Sequence, residues 1–169
     1  MEAVRSALRS RDAAPAETAA PPPRTSHGPT GMEDGVSTTT LDFTGEERFQ
    51  ALRRELGVSA FGLNLLRLRP GQRGRIHRHE RQEEVYLVLE GTLTLAIEGE
   101  ERELIRGQLA RVAPAVRRQL ANRGSAPLVI LSIGGAEAHE GRDGVAFTAW
   151  EDDEGRPPPE VPLPDDLER

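Results

Sequence analysis

Apolar positions along this chain follow two rhythms. In TGEERFQALRRELG, residues 44–57, Phe49, Leu52 and Leu56 recur at spacings of three and four, the single stripe of a helix that buries one face. Thr44 followed by Glu47 has the spacing of a capping box, and Gly57 is placed to close the helix in a left-handed turn. The spacing predicts one short amphipathic helix, suited to cover a sheet or an open barrel end. From Ala60 onward the period shortens. AFGLNLLRL alternates in part and runs into the turn RPGQRG; VYLVL is a continuous apolar run of strand length. TLTLAIEG alternates cleanly, with Leu93, Leu95 and Ile97 on one face. EGEERE supplies a hairpin turn, RELIRGQLARVAP two short strands around Gly107, and RRQLANRG and PLVILSIGG complete the set. Short strands about ten residues apart, with Gly-bearing turns and no helix between them, predict an antiparallel sandwich or barrel rather than a parallel α/β sheet.

The flanks have a different composition. Residues 1–38 include APAETAAPPPRTSHGPTG and hold little to bury, so they read as a disordered extension, with His27 inside it and Met32 as a candidate alternative start. Residues 151–169, EDDEGRPPPEVPLPDDLER, read as an acidic, Pro-rich solvated tail. A single domain is expected between them, over residues 39–150.

Composition narrows the chemistry. The net charge of −6 leaves no electrostatic footprint for nucleic acid. The chain has no Cys, which excludes disulfides, thiolate zinc sites, iron–sulfur clusters and Cys nucleophiles; it has no Lys, which excludes Schiff-base chemistry. No apolar run approaches the roughly 20 residues of a membrane helix, and the N-terminal stretch lacks the apolar core of a secretory signal, so a cytoplasmic protein without membrane partners is expected. Neither a phosphate loop nor Gly-x-Ser-x-Gly occurs, and no nucleotide or flavin cofactor is indicated.

The candidate chemistry sits in GRIHRHERQEEVYLVLEG, residues 74–91. In an extended segment His77 and His79 share a face and Arg78 points away. Two imidazoles at this spacing can reach one ion about 2.1 Å from each nitrogen, and a nearby carboxylate, Glu83 or Glu84, would complete a facial set with open positions. A His-x-His pair also occurs by chance, solvated or hydrogen-bonded.

The stretch resembles the first motif of the cupins: His77-x-His79, four residues, Glu84, six residues, Gly91. GQLARVAPAVRRQLAN, residues 107–122, is similar to the second motif, with Gly107, Pro114 and Asn122 in place. Gln108 stands for Asp, Ala113 for Pro, Ala115 for Gly, and Arg118 stands where the family has its last metal-binding His. The resemblance covers roughly residues 58–135 and implies an all-β, cupin-like antiparallel β-barrel (a double-stranded β-helix, or jelly roll), commonly dimeric. It selects Glu84 over Glu83 and so implies His77, His79 and Glu84 as ligands of a divalent ion, Fe, Mn, Zn or Ni. A small-molecule ligand follows; if the protein is an enzyme, the implied class is a metal-dependent dioxygenase, isomerase or lyase.

Arg118 leaves three arrangements open. Arg carries donors only and does not ligate metals. It can lie beside a metal on His77, His79 and Glu84 and contact an anionic ligand. It can pair with Glu84 in a metal-free binding or regulatory module. Alternatively Arg117 and Gln119 face inward and Arg118 faces out. His139, beyond the last core strand, is a weak candidate ligand, and the arginines at 67, 69, 73, 75, 78 and 81 form a basic rim able to steer an anion. Tyr86 and Trp150 read as packing residues, and FTAWEDD as a final edge strand.

Overall fold

In the computed structural model, residues 30–33, 35–135 and 143–167 are described. Twelve strands run in the order β1 (Thr30–Glu33), β2 (Val36–Thr38), β3 (Phe49–Gln50), β4 (Gly62–Leu68), β5 (Ile76–His79), β6 (Glu83–Glu90), β7 (Thr92–Ile97), β8 (Glu100–Ile105), β9 (Leu109–Val112), β10 (Arg118–Ala121), β11 (Leu128–Gly135) and β12 (Gly144–Phe147). Among the described residues one α-helix, α1 (Leu52–Leu56), separates β3 from β4. Two five-stranded antiparallel sheets face each other, ordered β12-β5-β10-β7-β8 and β3-β4-β11-β6-β9. From β4 to β12 the chain passes from one sheet to the other at every step except the β7–β8 hairpin, the connectivity of a jelly roll.

Strand alternation builds the interior. Tyr86 and Val88 of β6, Leu93 and Leu95 of β7, Leu120 of β10 and Leu128 and Ile130 of β11 are buried in one cluster between the sheets. A second, smaller cluster on the outer face of β4 and β11, with Leu65 and Val129, is covered by Leu52 of α1. The expected helix thus exists and covers a sheet, but it is shorter than residues 44–57 suggest. Phe49 and Gln50 pair with Leu66 and Leu65 of β4 instead, so sheet pairing overrides the helical stripe. The capping box does not form: Thr44 donates its N–H to Asp42 Oδ1 at 3.0 Å in a local turn. Gly57 ends the helix in the left-handed region, φ +70°, as its position suggests.

Both flanks depart from the sequence reading. Part of the 1–38 extension is structured: β1 and β2 form an antiparallel pair, and Ser37 Oγ donates to Leu56 O at 2.5 Å. Residues 1–29, with His27, lie outside the described residues, as does His139. The C-terminal stretch is not a free solvated tail. Ala146 and Arg156 exchange both backbone hydrogen bonds, and Val161 is only 2% exposed. Arg75 Nε donates to Val161 O, Arg73 Nε to Asp165 O at 3.0 Å, and Leu167 N to Gly71 O at 2.7 Å. Val161 and Leu163 break the acidic run, and the prolines pre-extend the chain to lie along the barrel. FTAWEDD contributes only Phe147 to a strand, β12, which pairs with β5. No helix among the described residues is long and apolar enough to cross a membrane.

Candidate metal centre

Two strands from different sheets meet at one point. β5 carries His77 and His79 on one face, and β6 carries Glu84 and Tyr86, also two apart, facing the first sheet. His77 stands opposite Arg118 in the β5–β10 pair, and Glu84 opposite Gly134 of β11, where no side chain competes for the space. Glu83 points outward and forms an exposed ion pair with Arg111. Ligand atoms of His77, His79 and Glu84 all lie within 4.8 Å of one another, and this is the one such group found among the described residues.

The hydrogen bonds assign the ring protons. His77 Nδ1 lies 3.1 Å from the carbonyl oxygen of Arg75, an acceptor only, so Nδ1 carries the hydrogen. His79 Nδ1 lies 2.7 Å from Asp143 Oδ1. Burial opposes the charge of Asp143, but the backbone N–H of Gln82, the His79 ring and the N–H of Arg81 outweigh it and hold its carboxyl below the usual range; it too is an acceptor. In the neutral state both rings therefore direct a lone pair from Nε2. Both lone pairs face Glu84 Oε2, at 3.4 Å from His77 and 3.3 Å from His79. Glu84 is itself ionised: burial would raise its pKa, but the two histidines and Arg118 hold it well below the ordinary value. Two nitrogen lone pairs against one carboxylate oxygen repel unless a cation, a proton or a metal ion, lies between them. Four-coordinate ligands about 2.1 Å from an ion stand about 3.4 Å apart, and the distances from both histidines to Glu84 match that spacing.

Arg118 faces the interior, with its side chain fully buried. Gln119 donates to Gly74 O, and Arg117 pairs with Glu98 nearer the surface, which removes the arrangement with those two inside. Arg118 Nη2 donates to Glu84 Oε2 at 2.8 Å, and Nη1 to the carbonyl oxygens of Pro114 at 3.1 Å and Val116 at 2.9 Å. Its Nε lies 3.4 Å from the Tyr86 hydroxyl, which itself donates to Glu84 Oε2. With no exposed surface, Arg118 is not placed to contact an anionic ligand; it forms the pair with Glu84 that the second of the three arrangements has. It holds the carboxylate from behind, together with Tyr86. Burial above all, and then Glu84, raise the Tyr86 pKa well above the ordinary value, so its proton stays in place.

Two residues of this arrangement escape sequence reasoning. Tyr86 sits in an apolar run that looks like pure packing, although its spacing of two from Glu84 on one strand signals a shared face. Asp143 is 64 residues from His79 and carries no motif. It orients the ring and fixes its tautomer, a role in which substitution typically costs 10–100-fold in metal affinity. Asp143→Asn is accordingly expected to weaken metal binding about 10–100-fold with the fold retained; competition against a chromogenic chelator measures this, and an unchanged affinity would remove Asp143 from the site.

Two cavities open onto the centre and share Phe49, His79 and Glu84. One, about 380 Å³, is the more polar of the two, with Arg53, Arg54, Asn64 and Ser132 in its lining. The other, about 240 Å³, lies on the His77 side and is walled by Leu66, Leu68, Leu120, Ala146, Pro158 and Leu163.

Comparison with known proteins agrees with this architecture. Residues 64–134 match the family model of the cupin domain. A cupin protein from Bacteroides fragilis is 25% identical with a TM-score of 0.55, over 65% of this chain and 92% of its own. A sugar phosphate isomerase from a cupin superfamily, from Silicibacter pomeroyi, is 26% identical with a TM-score of 0.54, over 69% and 79%. A proposed sugar phosphate isomerase from Acidithiobacillus ferrooxidans is 26% identical with a TM-score of 0.51, over 59% of this chain and 62% of that protein's length. No curated protein matches the chain. The two facing sheets, the two motif segments and the family match together show an all-β fold that carries a cupin domain at residues 64–134.

Proposed function

We propose that this protein binds an anionic small molecule beside one divalent metal ion held by His77, His79 and Glu84. The observation that carries the reading is the pair of Nε2 lone pairs converging on the Glu84 carboxylate, with both Nδ1 atoms already committed to acceptors. A bound ion would supply Lewis acidity or oxygen activation, consistent with an isomerase, lyase or dioxygenase. Two histidines and one carboxylate suit Fe, Mn, Zn or Ni. The chain's own residues set the rest: Asp143 and the Arg75 carbonyl fix the rings, and Arg118 and Tyr86 fix Glu84. Two of the similar structures are described as sugar phosphate isomerases, and a phosphorylated sugar is one anionic ligand of this kind.

One observation favours a second reading, a metal-free binding module. Glu84 Oε2 already accepts from Arg118 and Tyr86, and burial of His79 is outweighed by Glu84 and Asp143, so its pKa is raised and a proton can supply the cation. Elemental analysis of untagged protein separates the two. About one ion per chain is expected, lost in His77→Ala and in His79→Ala while the far-ultraviolet spectrum is unchanged. Because protons compete for a His79 of raised pKa, loading should fall as pH falls through that titration and recover above it. A wild-type protein that takes up none of the four metals at pH 8 would establish the metal-free module.

A further inference from the structure

The reading above leaves the anion's contact unassigned, because Arg118 is sealed behind Glu84. The polar cavity supplies another. Arg53 Nε is buried and, among the described residues, is the buried side-chain atom left without a hydrogen-bond partner. Arg53 lines this cavity next to Arg54, and no carboxylate of the described residues forms an ion pair with either. A guanidinium in a cavity wall with no counter-ion is a ready contact for an oxyanion. The acids that share the lining are already engaged, Glu84 by Arg118 and Asp143 by His79 and the backbone of Gln82.

The second cavity has the opposite character. Its walls are aliphatic, and the arginines at its rim are committed: Arg48 to the Arg73 carbonyl and Asp166, Arg75 to the Val161 carbonyl. A ligand body rich in hydroxyls would leave them unpaired against Leu66, Leu68 and Leu120, whereas an alkyl or aryl body gains by burial. Both cavities meet at His79 and Glu84, so one molecule can occupy both while passing the metal centre.

We propose that the ligand is an amphipathic organic acid, its carboxylate or phosphate held by Arg53 in the polar cavity and its apolar body lodged in the aliphatic one. This rests on the small-molecule site described above and narrows its ligand class away from sugar phosphates.

Hexanoate, hexyl phosphate and glucose 6-phosphate, titrated calorimetrically into the full-length protein, test it. At least one hexyl acid is expected to bind about tenfold or more tightly than glucose 6-phosphate, and the tighter of the two identifies the head group. Arg53→Gln should weaken that acid about tenfold, and Arg53→Lys, which keeps the charge but loses the planar two-pronged donor, should restore it only in part. Leu163→Ser, at a half-exposed position, should weaken hexyl phosphate but leave inorganic phosphate unchanged. Equal or tighter binding of glucose 6-phosphate, no binding of either hexyl acid at about 10 mM, or indifference to Arg53→Gln overturns the proposal. Metal content is measured on every sample, and the titrations are repeated after chelation. Absence of metal with Arg53-dependent acid binding would sink the metal reading alone; bound metal without acid binding would sink this one alone.

Discussion

Replacing Arg118 with methionine should destabilise the protein by about 3–5 kcal/mol, the loss typical of removing one partner from a buried ion pair. The guanidinium is fully buried and bonds Glu84 and the carbonyls of Pro114 and Val116. Without it, the Glu84 charge remains inside the barrel with only Tyr86, Ser132 and the histidines around it. Urea unfolding of chelator-treated protein measures the effect free of metal linkage. Arg118→Met combined with Glu84→Gln should lose clearly less than the sum of the single changes, since the double variant leaves no unpaired charge. A loss under about 1 kcal/mol for Arg118→Met would mean that the pair is not formed.

Gly91→Ala should be nearly as damaging, for a different reason. Gly91 has φ +77°, and a Cβ there would stand 2.5 Å from the Pro127 carbonyl oxygen and 3.1 Å from Leu128 Cα, both backbone. Left-handed strain adds about 1–3 kcal/mol, and the clash forces the β6–β7 turn or the start of β11 to move. Gly107→Ala is the control: φ is +85°, but nothing lies within 4 Å of its Cβ. It should lose about 1 kcal/mol, against about 3 kcal/mol or more for Gly91→Ala, in the same urea assay. Similar losses at both positions would show that strain alone matters.

An antiparallel sandwich or barrel and the His77, His79 pair were legible from local spacing, and the jelly roll and the choice of Glu84 from the resemblance of the two motif segments to cupins. Strand alternation put the two histidines on one face, and the two motif segments framed the barrel. What was not legible depends on pairing between distant strands. Phe49 reads as helical until β4 offers it a partner, and α1 shortens to Leu52–Leu56. Asp143 reaches His79 only because β12 runs beside β5, with Gly144 opposite His79. Arg118 was placed by its motif, but its role stayed open between an anion's contact and a pair with Glu84. A cation where a ligand is expected suggests an anion's contact, and only the structure reveals that Glu84 and two carbonyls consume it. The C-terminal run looks solvated by composition, yet Val161 and Leu163 anchor it to the barrel and to the aliphatic cavity.

Substituting a cation for a neutral imidazole also changes the net charge of the centre. Glu84 and Asp143 contribute two negative charges, Arg118 one positive, and the neutral rings none. A divalent ion would therefore leave an excess of one positive charge, where a histidine at position 118 would leave none. That excess lowers the affinity for the ion taken alone and raises the affinity for any anion beside it. Ion and anion would then bind with positive cooperativity, each strengthening the other by the same factor, as thermodynamic reciprocity demands. A barrel of this kind would hold its metal loosely at rest and firmly when its acid ligand arrives.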